Sequence, residues 1–213
     1  LINNFQHQVF YRERGHHYTE IPYCKQNMLL FGYFQSYKYF EDIRDTIHTE
    51  FSLKNASEHF NLWCQKIRQN ANPVSIHIRR GDYVQKESVR NDFGPCGLDY
   101  FQRAMSLIEK EQTDISYIVF SDDIIWVKEN LQFTPGLTVT YVEDPSLLDI
   151  EELLLMSTCN HNIISNSSFS WWAAWLNKNP SKIVITPTPW FDSGSINEED
   201  LLPPAWTRIA KYS

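Results

Sequence analysis

The chain has no run approaching the ~18 consecutive apolar residues of a membrane span. It also has no C-x-x-C pair, no excess of positive charge, no internal repeat and no low-complexity tract. Each absence excludes something. Without an apolar run, no membrane span is expected. The four cysteines, Cys24, Cys64, Cys96 and Cys159, are far apart, so no zinc site is expected. A chain of 213 residues needs no disulfide framework, and reduced thiols are the expectation. A formal net charge of −7 argues against broad nucleic-acid binding, which needs a basic face. A local basic spot in an acidic protein points instead to a small anionic ligand. The first residue is Leu1 and no signal-peptide layout follows it, so the chain is expected to begin mid-protein or after processing.

What is present is a globular composition. Hydrophobic residues make up 42% and aromatics 15%, enough to bury the core of one large domain or two small ones and to supply stacking surfaces. Residues 1–35 are rich in aromatics, and the run Met28-Leu29-Leu30-Phe31 reads as a strand. His16 and His17 are read as a surface pair, because no third ligand is close in sequence. Phe40, Ile43, Ile47 and Phe51 follow helical spacing, which predicts a helix over 37–51. A second helix is predicted over 55–70, opened by a capping box of Asn55 and Glu58. Asn70-Ala71-Asn72-Pro73 is a breaker, and a domain boundary is placed there, dividing the chain into 1–72 and 73–213.

Beyond it, strands and helices alternate. Strands are expected over 74–79, 115–120, 138–143, 161–165 and 182–186. Helices are expected over 99–111, 123–131, 149–159 and 168–178, with Asp99 and Asp123 as caps and Asp149 and Glu152 as a capping box. This alternation is the pattern of an α/β fold, a parallel sheet flanked by helices. Polar residues collect after each strand: Arg79, Arg80, Gly81 and Asp82; Ser121, Asp122 and Asp123; Glu143 and Asp144; Ser165 to Ser168; Thr186 and Thr188. Ligands of open parallel sheets bind along that carboxyl edge.

The stretch Val74 to Tyr83 is the focus. A buried strand ends in two arginines, a glycine and an acid, and cations at the end of an apolar strand need an anion. Two readings are open: an ion pair with Asp82 or the Asp122-Asp123 pair, or a grip on a diphosphate by the planar arginine fork. Adjacent residues point to opposite faces of a strand. Arg79, which shares a face with His77, is therefore the first choice, and both arginines reach one ligand only if the chain turns at Gly81. The string Arg80-Gly81-Asp82 follows a buried strand, not an exposed hairpin tip, which sets aside an integrin-type recognition role. Asp123 reads as a helix cap, and Asp122 as an acceptor for a base or ribose. Asn166-Ser167-Ser168, a glycosylation sequon like Asn55-Ala56-Ser57, is either plain helix capping or a phosphate cradle. Trp171, Trp172 and Trp175 are read as core.

Three segments carry a family resemblance: His77-Ile78-Arg79-Arg80-Gly81-Asp82-Tyr83, FSDD at 120–123, and ISNSSFSWWAAWL at 164–176. In order and spacing they resemble motifs of glycosyltransferase family 11, the α-1,2-fucosyltransferases. GYFQSYKYF at 32–40 is similar to a segment that precedes them in bacterial members. The resemblance covers about residues 29–190. Family members usually open with a glycine-rich strand-turn-helix containing Gly-Asn-Gln, and nothing similar is present here. The expectation is a member lacking its first several dozen residues.

The resemblance implies a GT-B arrangement, with a partial acceptor-side domain over 1–72 and a Rossmann-type domain over 73–213 holding GDP-fucose. It implies a metal-independent, cofactor-free transfer of L-fucose, with inversion, from GDP-β-L-fucose to a galactose-containing acceptor in surface glycan synthesis. In a bacterium that enzyme would be cytoplasmic, with peripheral association at the inner membrane. In a eukaryote it would sit in the Golgi membrane, with an anchor upstream of Leu1. Arg79, aided by Arg80, would stabilise the diphosphate. Asn166, Ser167, Ser168 and Phe169 would close around the phosphates. His77 and Asp122 would contact guanosine, with Asp123 beside them. Asp82 would orient the arginines or act as base, and orientation is favoured because a carboxylate paired with arginine is a weak base.

Overall fold

A computed structural model describes residues 9–15, 17–193 and 198–212. The chain divides into two compact units, Leu1–Phe51 with Gly194–Pro203, and Ser52–Ser193 with Pro204–Ser213.

In the first unit, strands β1 (Val9–Arg12) and β2 (Met28–Phe31) pair in parallel, with Val9 opposite Met28. The strand expected over 28–31 is thus present. The helix expected over 37–51 is broken into two 3-10 turns, Tyr37–Tyr39 and Glu41–Ile43, and helix α1 (Arg44–Glu50). Phe40, at φ −138°, interrupts it. Ser36 caps the first turn, accepting from the Lys38 amide at 3.3 Å and donating to the Asp200 carbonyl at 2.7 Å. The Asp200 carboxylate takes the Lys38 ammonium and the Tyr18 amide. His17 is exposed, and His16 lies outside the described residues.

The second unit opens with α2 (Glu58–Arg68), capped by Ser57 and not by Asn55. The Ser57 hydroxyl accepts from the Phe60 amide at 3.0 Å. This helix packs on a later helix, α7 (Asp149–Ser157), and so belongs with the sheet. The division between units therefore falls at Phe51/Ser52, ahead of the Asn70–Pro73 breaker. Next come β3 (Asn72–Ile78), α3 (Gly81–Gln85), α4 (Glu87–Phe93), α5 (Leu98–Glu111), β4 (Ile115–Ser121), α6 (Ile124–Asn130) and β5 (Thr138–Tyr141). After α7 follow β6 (His161–Ile163), α8 (Ser168–Leu176), β7 (Val184–Thr188) and β8 (Thr207–Ala210).

The six strands form one parallel sheet in the order β5-β4-β3-β6-β7-β8. A sheet covered by helices on both faces needs nearly continuous apolar strands, and Val74, Ile76, Ile78, Tyr117, Val119, Ile163 and Ile185 are fully buried. The pleat sends Val74, Ile76 and Ile78 toward Tyr100, Phe101, Ala104 and Ile108 of α5. Ser75 and His77 point to the other face, where Ser75 Oγ accepts from Asn162 Nδ2 at 2.7 Å. Trp171 and Trp175 of α8 are buried, as the core reading expected, whereas Trp172 is only half-buried.

The strand order makes β3 and β6 the place where the winding of the sheet reverses direction. Neighbouring strands there send their connections to opposite faces, which opens a crevice beyond their carboxyl ends.

Candidate functional site

At that reversal lies a cleft of about 600 Å³. Its walls include His77 at the end of β3 with Arg79 and Asp82 after it, Ser121 at the end of β4 with Asp122 after it, Asp149 and Glu152 at the start of α7, and Ser167, Ser168 and Phe169 after β6. Tyr83, Val89 and Phe93 from α3 and α4 complete them.

Arg79 is held between two carboxylates. Its Nε and Nη2 donate to Asp82 Oδ1 at 3.1 and 2.7 Å, and its Nη1 lies 3.0 Å from Asp122 Oδ2. A guanidinium has five N–H donors. Three are spent fixing its plane, leaving two on the cleft-lining group for a ligand. Asp122 is anchored in turn, since its Oδ1 accepts from the Arg80 amide at 2.8 Å.

Arg80 goes elsewhere. The strand alternation that aims Arg79 at the cleft turns Arg80 onto α6, where its guanidinium carbon sits 3.4 Å from the centre of the Trp126 ring. Its Nε donates to Asp123 Oδ2 at 3.1 Å. Asp123 also caps α6, accepting from the Trp126 amide at 3.3 Å, as expected of it. Neither Arg80 nor Asp123 lines the cleft. The ion-pair reading is thus present in the structure, since the arginines pair with Asp82, Asp122 and Asp123, and Arg79 also faces a cavity.

His77 is nearly fully buried. Its Nδ1 is hydrogen-bonded to Ser165 Oγ at 3.0 Å, and its ring centre lies 5.5 Å from that of Phe169. Burial, reinforced by the Arg79 charge, lowers its pKa to about 3, so at neutral pH it is a neutral imidazole. Tyr83 is pushed the other way, to about 12, chiefly by burial, and its hydroxyl donates to the Asn166 carbonyl at 2.9 Å.

Asn166 is a tie and does not line the cleft. Its Nδ2 donates to the carbonyls of Phe93, Gly94 and Trp190 at 2.7, 3.0 and 3.0 Å. It is buried, and all of this fixes the backbone behind Phe93. Ser167 holds the N-cap position of α8 with no side-chain cap hydrogen bond, and Ser168 begins the helix. The first-turn N–H groups of a helix have no intrahelical acceptor, and Ser167, Ser168 and Phe169 at this helix start line the same cleft as Arg79.

Of the residues singled out from sequence, the fold brings together His77, Arg79, Asp82, Asp122, Ser167, Ser168 and Phe169. Asp149 and Glu152 were read only as helix caps. In fact Glu151 makes the capping contact, accepting from the Leu148 amide at 3.1 Å, which frees Asp149 and Glu152 for the cleft. Their position at the start of the helix that follows β5 was the available signal.

Gly81 is required by contact. A Cβ there would stand 2.5 Å from Asp122 Oδ2, on a carboxylate already fixed by Arg79 and the Arg80 amide. Gly81 is the first residue of α3, where alanine is the better helix former. Gly81→Ala is expected to leave the melting temperature unchanged or raised, yet to weaken binding of inorganic pyrophosphate in the cleft by about tenfold through displacement of Asp122 and Arg79. Parallel melting and calorimetric measurements check this, and unchanged binding would mean the contact is idle.

Among the described residues, no helix is long and apolar enough to cross a membrane, and no group of three or more His, Cys, Asp or Glu could hold a metal ion.

Compared with known proteins, residues 1–210 match the family described as glycosyl transferase family 11. The O-antigen biosynthesis glycosyltransferase WbnK of Escherichia coli is 34% identical over 189 residues, covering 87% of this chain and 62% of that protein. An alpha-1,2-colitosyltransferase of Escherichia coli is 34% identical over 189 residues, 88% of this chain and 64% of its own length. Galactoside alpha-(1,2)-fucosyltransferase 1 of Saimiri boliviensis boliviensis is 27% identical over 157 residues, 69% of this chain and 42% of its own. The chain thus spans less than two thirds of the length of each of these relatives.

Proposed function

Because the chain belongs to glycosyl transferase family 11, we propose that the cleft binds a GDP-sugar and that the protein moves L-fucose from GDP-β-L-fucose to a hydroxyl of a galactoside acceptor, with inversion. The observation that carries this is Arg79, fixed by two aspartates and facing the cleft beside the N-terminus of α8.

In such a transfer the bond between the sugar C1 and the β-phosphate oxygen breaks with its electron pair staying on the diphosphate, the acceptor hydroxyl oxygen bonds C1 from the opposite face, and its proton passes to the released diphosphate. The two uncommitted N–H donors of Arg79 and the α8 amides meet that growing charge without rearranging. Asp82, with Oδ1 engaged by Arg79, acts as the orienting group. Arg80 acts indirectly: its amide fixes Asp122, and its stacking on Trp126 anchors the turn. Asn166 serves by holding Phe93 in the wall, and His77 lies beside the donor as a neutral group. The reaction proceeds without a metal, a reading supported by the commitment of Asp122 and Asp123 to arginine and helix-cap contacts. The rest of the proposal is a GT-B arrangement, with the first unit on the acceptor side, and work in surface glycan assembly at the cytoplasmic face of a bacterial membrane.

A relative named for colitose is as identical as the one named for O-antigen synthesis, so GDP-colitose is the second donor to test. The experiment is hydrolysis and transfer to lactose with GDP-fucose, GDP-colitose or GDP-mannose, each with and without EDTA. GDP-fucose turned over fastest, with EDTA harmless, is the expected result. Preference for GDP-colitose would change the donor, and loss of activity in EDTA would return a metal to the site.

A further inference from the structure

Four carboxylates line the cleft, and they are not equivalent. Asp82 and Asp122 are spent on Arg79. The side chains of Asp149 and Glu152, three residues apart at the start of α7, make no hydrogen bond or ion pair among the described residues. Residues at that spacing share one helix face, so both present acceptors to the same wall. The cleft is therefore polarised, with Arg79 and the α8 start offering N–H donors and the Asp149 and Glu152 side chains offering acceptors. Burial and the neighbouring Asp149 and Asp144 raise the Glu152 pKa, so its carboxylate gains from any ligand that brings hydrogen-bond donors.

We propose that Glu152, with Asp149 beside it, reads the base of the nucleotide by accepting the paired ring N–H and exocyclic NH₂ of guanine. The inference rests on the cleft being the GDP-sugar site. It adds which residue tells guanine from other purines. Asp122, the carboxylate that sequence reasoning assigned to guanosine, has its oxygens engaged by Arg79 and the Arg80 amide. A carboxylate matches two parallel donors in one plane. Adenine offers an acceptor at the corresponding ring nitrogen and meets repulsion instead, while hypoxanthine keeps the ring N–H and lacks the amine.

The test is calorimetric titration of the whole chain with GDP, IDP, ADP, 2′-deoxy-GDP and inorganic pyrophosphate, in the wild type and in Glu152→Gln. The wild type is expected to bind GDP about tenfold more tightly than IDP, the usual scale for one hydrogen bond to a charged group, and ADP more weakly still. Glu152→Gln is expected to bring GDP and IDP within about twofold of each other, leaving pyrophosphate binding unchanged because that ligand reaches only the Arg79 end. An unaltered GDP-to-IDP ratio overturns the proposal. So does loss of the preference for GDP over 2′-deoxy-GDP alone, which would assign the carboxylate to the ribose, and so does loss of pyrophosphate binding, which would make Glu152 structural. Failure of the wild type to bind GDP at all is a different result, and it would remove the reading of the cleft itself.

Discussion

Replacing Arg79 by alanine is expected to lower turnover by about 10²–10³-fold, the scale seen when one fixed donor to developing charge is removed. The size follows from geometry. Asp82 and Asp122 hold the guanidinium plane at 2.7–3.1 Å, so in the proposed transfer it would meet the leaving diphosphate already oriented. The same substitution leaves two carboxylates facing each other without their cation, turning an anion-binding corner into an anion-repelling one. Both effects act on the reacting end of the donor. Arg79→Lys is expected to recover little, because a single ammonium cannot satisfy Asp82 and Asp122 and still present two donors in a plane. Steady-state kinetics with the favoured donor decides it, and near-normal turnover in Arg79→Ala would end the assignment.

The second large effect is on stability. Lys211 is fully buried, with its ammonium 2.5 Å from Asp192 Oδ1 and donating to the Phe93 carbonyl at 2.6 Å. The Tyr212 hydroxyl donates to the other Asp192 oxygen at 2.5 Å. This cluster fastens the C-terminal end of the described chain to the backbone behind Phe93, which Asn166 grips through its own Nδ2. Asp192→Ala would leave a buried ammonium without its counter-charge. Breaking one partner of a buried pair typically costs about 3–5 kcal/mol, and partial exposure of Asp192 puts the expectation near the lower figure. The melting temperature should fall by roughly 10 °C at this chain length. Asp192→Ala combined with Lys211→Met should recover most of the loss, since removing both charges removes the orphan. Thermal unfolding of the single and double variants reads both. A single variant as stable as the wild type would show that the pair contributes nothing.

Much of the sheet was legible because buried parallel strands announce themselves. Val74 to Ile78 and Ile115 to Phe120 are apolar enough to be recognised without their neighbours. Strand β8 was not, since Thr207 and Arg208 are exposed and only Ile209 tucks partly inward. An edge strand needs little apolar pattern. Helices α3 and α4 fall outside the helices expected from sequence because Asp82 to Asp92 carry few core residues, so tertiary contact shapes them more than periodicity does. At the site, charge at the end of a buried strand singled out Arg79, which the structure places on the cleft wall. Sequence could not divide the work between Arg79 and Arg80, because that depends on Trp126 standing across the turn. Nor could it separate a carboxylate that caps a helix from one that faces a cavity, and a shift of one residue, to Glu151, decided that for α7.

The central claim is that Arg79 binds the diphosphate of a guanosine nucleotide in this cleft, and calorimetry with GDP and guanosine tests it most directly. The wild type is expected to bind GDP about a hundredfold more tightly than guanosine, from two charge-assisted hydrogen bonds of about 1.5 kcal/mol or more each. Arg79→Ala should lose most of that difference and bind guanosine as before. GDP bound equally tightly by the wild type and by Arg79→Ala would contradict the account.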